Sequence, residues 1–352
     1  MTPSFKIGNY QISSTDSPFF IAEMSGNHNQ SLDQALKIVE EAAKTGAQAL
    51  KIQTYTADTM TLNSDKDDFC IRDPKSLWNG RKLYELYDEA STPWEWHKEI
   101  FTKAKNLGLL AFSTPFDFKA VDFLESLDVP CYKIASFELT HLPLLEKVGS
   151  TKKPIILSTG MAQDWEIEEA LETLDKAGNS DVCLLKCTSA YPAPPEDAKL
   201  MNMVDMKNRF QKVVGLSDHT LGSTIAIAAV ALGASIIEKH FTINRAEGGV
   251  DSAFSMEPQE FKYMIEECKK VFLSKGEVSY GPSHSEKNSL AFRQSIYVSQ
   301  NIKKGEPLSD QNIRIVRPGY GLAPKYYSNI LGKLARKSFS LGDRITLKDI
   351  EN

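Results

Sequence analysis

The sequence predicts an α/β protein in which a (β/α)8 TIM barrel is followed by a small C-terminal all-β domain. Eight short strand candidates alternate with amphipathic helix candidates, and this alternation stops after Gly281. The chain has 352 residues, whereas a barrel alone takes about 250. An open doubly wound sheet is the competing fold, but it usually has fewer strands and a glycine-rich phosphate turn after its first strand. Here the first strand leads into Glu23-Met-Ser-Gly-Asn-His-Asn instead.

The strand candidates are short runs of apolar and β-branched residues. In chain order they are Phe19–Glu23, Ala49–Gln53, Leu109–Ser113, Cys131–Ile134, Ile155–Ser158, Val182–Lys186, Val213–Leu216 and Ser235–Lys239. Segments with helical periodicity lie between most of them, as in Asp33–Thr45, Trp94–Asn106, Asp164–Lys176 and Ser223–Ala231. The predicted domains are a barrel over residues 1–281, a linker over 282–292 and an all-β domain over 293–352.

One connection departs from this regular pattern. Residues 54–92 form a long, polar stretch that contains several aromatic residues. A connection of that length is unusual inside a compact domain unless it covers a functional site. We therefore expect this segment to lie over the predicted active site.

Composition and charge exclude several classes of protein. Hydrophobic residues make up 41% and charged residues 25% of the chain, as in ordinary globular proteins. No apolar run approaches the roughly 18 residues of a membrane span, and the N-terminus has no stretch typical of a signal peptide. The five cysteines include no Cys-x-x-Cys pair, so a disulfide framework and a zinc site are both disfavoured. We expect a cytoplasmic protein.

The charge is distributed unevenly along the chain. The net charge is −5 overall, but residues 288–352 carry +6 and the first 287 residues carry −11. The overall sign argues against generic nucleic-acid binding. A basic tail on an acidic body indicates docking or an anionic substrate, and a simple solvated basic surface explains the charge equally well.

The predicted strand ends carry an unusual number of polar side chains. In a barrel, catalytic residues follow the strands at the C-terminal face. Lys51 and Lys133 end the second and fourth strands, and Thr114, Ser136 and Ser158 follow the third, fourth and fifth. A single lysine there would usually be a solvated rim residue, whereas two lysines among hydroxyl groups predict a pocket for a polyanion that carries phosphate and carboxylate.

A pair of histidines predicts a metal site at the same face. His219 and His240 end consecutive strands, which are neighbours in a barrel. Their side chains could meet on one divalent cation, with Glu23 from the first strand completing the ring and other positions left for water and substrate. Glu138 and Asp251 are candidate acid–base carboxylates, although either could instead be a salt-bridge partner.

Eight motifs in order carry a resemblance to a known family: IAEMSGNHNQS, ALKIQTY, FSTPFD, YKIASFEL, STGM, CTSAYP, GLSDHT and EKHFT. They resemble the sialic acid synthase family, whose members are barrels followed by a SAF (antifreeze-like) domain. The segment NIKKGEPLSDQNIRIVRPGYGL resembles that domain. Within the family, KIQTYTADTMTLNSDKDDF and LWNGRKLYELYDEASTPWEWH are similar to the subgroup that makes pseudaminic acid.

The resemblance implies an enzyme that condenses phosphoenolpyruvate (PEP) with an N-acetylated hexosamine and water, with C–O cleavage of PEP. For the subgroup, the acceptor is 2,4-diacetamido-2,4,6-trideoxy-β-L-altropyranose and the products are pseudaminic acid and phosphate. The alternative is the same reaction forming legionaminic or N-acetylneuraminic acid. A non-catalytic carbohydrate- or ice-binding protein is disfavoured, because ice binding requires a flat, sparsely charged surface and the tail here carries +6.

The resemblance also implies roles for individual residues. The matching PEP positions are Lys51, Thr114, Lys133, Ser136, Ser158 and Ser189, where Ser189 replaces the Asn of some members. Gln53, Tyr191 and Asp251 match sugar-contacting positions, and Phe116 could form an apolar wall beside the sugar. His219 and His240 match ligands of a divalent metal, usually Mn²⁺, with Mg²⁺ or Co²⁺ as alternatives.

Two implied features concern catalysis and assembly. Either Glu23 or Glu138 would accept the proton of the water that adds at C2 of PEP, and the sequence leaves both open. The family arrangement implies a homodimer with swapped SAF domains. In that dimer Arg317 would reach the sugar site of the partner subunit.

Overall fold

The computed structural model describes residues 3–351 and divides the chain into two compact units. The first unit ends at Gly276 and the second begins at Glu277. The sequence-based boundaries at residues 281 and 293 stay predictions. Among the described residues, no helix is both long enough and apolar enough to cross a membrane.

The first unit begins with a β-hairpin that the sequence analysis did not predict. Strands β1 (Ser4–Ile7) and β2 (Tyr10–Ser13) pair antiparallel. Phe5, Ile7 and Ile12 are fully buried and pack against inward-facing residues at the starts of the barrel strands. The hairpin therefore closes the amino-terminal end of the barrel.

Eight parallel strands then form a closed barrel, as predicted. They are β3 (Phe19–Glu23), β4 (Ala49–Thr54), β5 (Leu110–Pro115), β6 (Tyr132–Ile134), β7 (Ile155–Ser158), β8 (Val182–Cys187), β9 (Val213–Asp218) and β10 (Ile236–His240). Strands β10 and β3 close the barrel, with His240 opposite Glu23. This register places the polar residues that end the strands at one face.

Helices surround the barrel and cover its outer apolar surface. They are α1 (Leu32–Thr45), α2 (Ala57–Met60), α3 (Leu83–Ala90), α4 (His97–Asn106), α5 (Phe118–Ser126), α6 (Leu142–Ser150), α7 (Asp164–Lys176), α8 (Met201–Phe210), α9 (Thr224–Ala231) and α10 (Pro258–Lys275). In α1, Ser31 caps the N-terminus by accepting a hydrogen bond from Gln34 N, and the helix ends at Gly46 in a left-handed conformation. Helices α2 and α3 lie within the long connection over residues 54–92.

The second unit is a small β region with its own core, as predicted. Strands β11 (Ser295–Val298) and β12 (Ile313–Val316) pair antiparallel, and the remaining pairing is by isolated bridges. One short helix, α11 (Tyr327–Ile330), interrupts the β structure. Ile296, Ile313 and Ile345 are among the fully buried residues of this core.

Candidate active site

Two buried lysines and two buried glutamates form a row across the barrel. Lys51 Nζ lies 2.8 Å from Glu23 Oε2 and 3.6 Å from Glu238 Oε1. Lys133 Nζ lies 3.7 Å from the same Glu238 oxygen. Lys51 also donates to Thr114 Oγ1 at 3.4 Å. The structure therefore brings the two predicted lysines together, and buried carboxylates compensate their positive charges.

The charges in this row shift one another's protonation. Burial raises the pKa of Glu23, although Lys51 opposes the shift. Burial alone would raise the pKa of Glu238, but Lys133 and Lys51 lower it overall. Burial disfavours the ammonium of Lys51, yet its two carboxylate neighbours raise its pKa, while burial lowers the pKa of Lys133. Of these two lysines, Lys133 is therefore the one whose positive charge is less well compensated by its surroundings.

Hydroxyl groups of Ser136 and Ser189 lie close to Gly160. The backbone N–H of Gly160 donates to Ser136 Oγ at 3.0 Å. A Cβ added at Gly160 would collide with the hydroxyls of Ser136 and Ser189, so the space depends on glycine. Ser158 Oγ is buried without a hydrogen-bond partner in residues 3–351. A buried hydroxyl donor without a partner favours a pocket for an anion.

His219 and His240 also come together. Their ring centroids lie 5.2 Å apart. His219 Nδ1 donates to the carbonyl of Thr188 at 2.9 Å, which leaves Nε2 with a free lone pair. His240 Nδ1 is buried without a hydrogen-bond partner in the described chain. Two neighbouring imidazoles, one of which has a buried nitrogen without a partner, fit a divalent ion whose other positions are taken by substrate and water.

The expectation that Glu23 completes a ring of metal ligands is wrong. Its carboxylate is bound by Lys51 and by Gln53 Nε2, which donates at 2.9 Å. Within residues 3–351, no three His, Cys, Asp or Glu side chains are grouped closely enough to hold a metal ion.

A second ion pair lies behind the histidines. Asp218 and Lys239 are each 1% exposed and join across β9 and β10, with Nζ and Oδ2 2.8 Å apart. Asp218 also accepts hydrogen bonds from the N–H and hydroxyl of Thr220. Because Asp218 precedes His219 and Lys239 precedes His240, this pair holds both strand ends in register.

A cavity of about 290 Å³ opens beside His240. Its polar lining includes Ser25, Gln53, Glu138, Tyr191, His240 and Asp251. Ser25 donates to Asp251, and Gln53 donates to Ser25 Oγ at 3.0 Å. Much of the remaining lining is apolar and comes from residues 54–92, in agreement with the expectation that this segment covers a site.

Glu138 differs from Glu23 in its surroundings. Its Oε2 is buried without a hydrogen-bond partner in the described residues. Burial raises the pKa of Glu138 to about 7, against weaker opposing effects of a backbone hydrogen bond and Lys133. Glu138 lines the cavity, whereas Glu23 is held by Lys51. Glu138 is the carboxyl group better placed to exchange a proton near neutral pH.

The structure thus sorts the predicted residues into neighbouring groups. The first group holds Lys51, Thr114 and Lys133, and the second holds Ser136 and Ser189 beside Gly160. Ser158 ends β7 with a buried hydroxyl. A third group surrounds the cavity, namely Gln53, Phe116, Glu138, Tyr191, His240 and Asp251. Glu23 contacts both Lys51 and Gln53. Arg317 is exposed in the second unit.

Sequence reasoning missed several residues of the site. Glu238 contacts both lysines and accepts a hydrogen bond from Ser217 at 3.2 Å. Strand alternation could have found it, because Glu238 lies two residues before His240 on the same strand and therefore on the same face. Trp78, which also lines the cavity, had no such signal.

Comparison with known proteins agrees with this architecture. Residues 38–280 match the NeuB family and residues 293–351 match the SAF domain. This chain belongs to the NeuB family, with the barrel synthase followed by a SAF domain. The family resemblance expected from the eight motifs is confirmed.

The individual relatives are similar over nearly their whole length. A pseudaminic acid synthase of Campylobacter jejuni is 44% identical, over 98% of this chain and 100% of the relative. An N,N'-diacetyllegionaminic acid synthase of the same strain is 39% identical, over 91% of this chain and 96% of the relative. The crystal structure of an N-acetylneuraminic acid (sialic acid) synthetase from Leptospira borgpetersenii matches with a TM-score of 0.73 and 30% identity, over 82% of this chain and 96% of that one.

Proposed function

We propose that this chain condenses PEP with 2,4-diacetamido-2,4,6-trideoxy-β-L-altropyranose and water, forming pseudaminic acid and phosphate. The choice of acceptor sugar rests on the 44% identity to a pseudaminic acid synthase over its entire length, against 39% to a legionaminic acid synthase. The geometry supports the reaction class, because a lysine-and-hydroxyl pocket lies beside a histidine pair and an acceptor-sized cavity.

PEP would occupy the pocket formed by the lysines and hydroxyls. Lys51 and Lys133 offset the charges of its carboxylate and phosphate, and Thr114 donates beside Lys51. Ser136, Ser158 and Ser189 would supply hydroxyl groups for the phosphate oxygens. Gln53, Tyr191 and Asp251 would contact the sugar in the neighbouring cavity.

Enzymes of the NeuB family generally use a divalent metal ion. We propose that His219 and His240 hold it, with Mn²⁺ as the first choice and Mg²⁺ or Co²⁺ as alternatives. When bound, such an ion polarises the aldehyde oxygen of the open-chain sugar as a Lewis acid. The hydrogen bond from His219 Nδ1 to Thr188 and the Asp218–Lys239 pair orient the two rings for this role.

The bond changes follow from this arrangement. C3 of PEP attacks the aldehyde carbon with its π electrons, the aldehyde oxygen takes up a proton, and positive charge develops at C2. Water adds at C2 and gives a proton to Glu138, which lines the cavity and whose Oε2 has no hydrogen-bond partner among residues 3–351. The tetrahedral intermediate then loses its hydroxyl proton, forms the ketone and breaks the C2–O bond to phosphate.

A panel of acceptors tests the proposed function. The enzyme is incubated with PEP, Mn²⁺ and each N-acetylated hexose, and products are identified by mass. The altro diacetamido sugar should show a far higher kcat/KM than N-acetylmannosamine. Equal or reversed values would overturn the pseudaminic acid assignment and leave the family membership intact.

The metal proposal has a separate test. Chelator should abolish turnover and Mn²⁺ should restore it, because the two histidines need the ion to act on the aldehyde. His219→Ala and His240→Ala should weaken Mn²⁺ binding, measured by calorimetry, while circular dichroism stays unchanged. Full activity in chelator would contradict the proposal.

A further inference from the structure

The segment Cys70–Lys82, here called the strap, folds as a narrow loop within the long connection. Cys70 and Lys82 form an antiparallel bridge at its base. Ile71 N donates to Arg81 O at 2.9 Å, and Gly80 N donates to Ile71 O at 2.7 Å. The positive φ of Gly80, 84°, permits the turn. The backbone thus holds Ile71 in a defined position.

The strap reaches across the acceptor cavity. Trp78 Nε1 donates to the carbonyl of Val250 at 3.0 Å, and its ring centroid lies 5.8 Å from that of Tyr191. Val250 directly precedes Asp251, which hydrogen-bonds to Ser25 at the polar end of the cavity. The strap is therefore anchored to the loop after β10 rather than free in solvent.

Together with its neighbours, the strap gives one side of the cavity an apolar surface. We call Met60, Ile71, Trp78, Leu83 and Leu86 the apolar wall; all five line the cavity. The charged groups lining the cavity among the described residues are Glu138, His240 and Asp251, and none belongs to residues 54–92. A hydroxyl group pressed against the wall would lose hydrogen bonds to water without replacement.

We propose that the apolar wall selects the acceptor by receiving the methyl groups of a 4-acetamido-6-deoxy hexosamine. Such sugars carry two methyl groups that N-acetylmannosamine lacks, one on the C4 acetamido group and one at C6. The inference rests on the proposed function and deepens it. The wall would select 4-acetamido-6-deoxy hexosamines as a class, and this selection does not depend on the configuration of the sugar ring.

The test compares three acceptors: the altro diacetamido sugar, the corresponding manno isomer and N-acetylmannosamine. Leu83→Asn places an amide of similar size in the wall. It should lower kcat/KM for the preferred trideoxy sugar by about 10–200-fold, the range for a methyl contact in an apolar pocket. The kcat/KM for N-acetylmannosamine should fall far less, and the KM for PEP should be unchanged.

Two further variants make the result decidable. Ile71→Thr makes a smaller change in the same wall and should shift selectivity in the same direction, which covers the case in which Leu83→Asn does not fold. Leu77→Asn is the matched control, because Leu77 lies in the strap but is 50% exposed and does not line the cavity. It should leave all three kcat/KM values unchanged.

The outcomes separate the two proposals. Wild-type preference for the manno isomer, with the same loss in Leu83→Asn, would overturn the proposed function and support the wall. Equal losses on all acceptors with an unchanged KM for PEP would overturn the wall. Wild-type preference for N-acetylmannosamine, or a Leu77→Asn variant as impaired as Leu83→Asn, would also overturn it.

Discussion

Lys51 and Lys133 show how single side chains set the electrostatics of this site. Both are almost fully buried, so their charges depend on Glu23 and Glu238 instead of water. Removing one lysine leaves a buried carboxylate with less compensation and leaves an incoming anion without its charged partner. The site residues therefore act as a coupled set, and single substitutions in it will not be additive.

Truncation of either lysine should weaken the use of PEP more than the use of sugar. Lys51→Ala and Lys133→Ala should each cost about 2–5 kcal/mol in kcat/KM for PEP, as expected when a buried charged partner is lost. Lys153→Ala is the control, since Lys153 forms a peripheral ion pair with Glu125 and Asp128. An effect confined to the KM for the sugar would contradict the pocket assignment.

Glu138 should give the reaction a pH dependence. A base works in its ionised form, and burial holds the pKa of Glu138 at about 7. The value of kcat/KM should therefore fall tenfold per pH unit below about 7 and level off above it. Glu138→Gln should remove this fall in kcat/KM at low pH, here called the acid limb, and slow turnover by about 10²–10⁴-fold.

Glu23→Gln is the comparison for that experiment. Glu23 is paired with Lys51, so this change should raise the KM for PEP and keep the acid limb near pH 7. If Glu138→Gln retained the acid limb at full rate while Glu23→Gln lost it, Glu23 would be the base.

At the scale of elements, the two ends of the barrel have separate tasks. The β1–β2 hairpin fills the amino-terminal end with Phe5, Ile7 and Ile12, while the strand ends at the other face carry the site. This division is usual in barrels, because residues at the amino-terminal face serve stability and residues at the carboxyl-terminal face serve catalysis. Stability and catalysis should therefore respond to different elements.

Phe5→Ala should destabilise the barrel without altering catalysis. Phe5 is 1% exposed, and truncating a buried Phe to Ala costs about 3–5 kcal/mol. All four tryptophans lie in the first unit, so urea denaturation followed by tryptophan fluorescence reports on the barrel. The neighbouring Lys6 is exposed, and Lys6→Ala should leave the midpoint unchanged. Changed kinetics in folded Phe5→Ala would contradict the division of tasks.

At the scale of the whole molecule, the two units carry opposite charge. Residues 288–352 have a net charge of +6 and the preceding residues −11, and opposite net charges favour docking. We propose a homodimer in which each SAF domain lies on the partner's barrel and Arg317 completes the partner's sugar site. A two-fold arrangement would satisfy both tails at once.

Complementation tests this arrangement. Inactive Arg317→Ala and inactive Lys133→Ala proteins are mixed under conditions that exchange subunits. If Arg317 acts in trans, a mixed dimer holds one site with both lesions and one with neither, so activity should reappear. No recovery despite demonstrated heterodimers would place Arg317 in its own chain's site or outside catalysis.

The strand ends could be predicted because they depend on local pattern. Short apolar runs, each followed within one or two residues by Lys, Ser or His, place those side chains at one face once the strands are parallel. The hairpin was missed although Gly8 and Asn9 lie between two alternating runs, which is a recognisable turn signal. Strand alternation could have placed Glu238 at the same face, but its contacts with Lys51 and Lys133, which lie on other strands, depend on the tertiary fold.

The sequence by itself determined the order of strands and helices, the closed parallel barrel and the face that carries the chemistry. These follow from periodicity and short connections, which are properties of neighbouring residues. Only the tertiary structure decided that Glu23 pairs with Lys51, that Glu138 Oε2 is buried without a partner in the described residues and that Trp78 of the strap lines the cavity. Trp78 and Val250 are 172 residues apart in the chain, and their contact exists only because barrel closure brings the loops of β4 and β10 to the same rim.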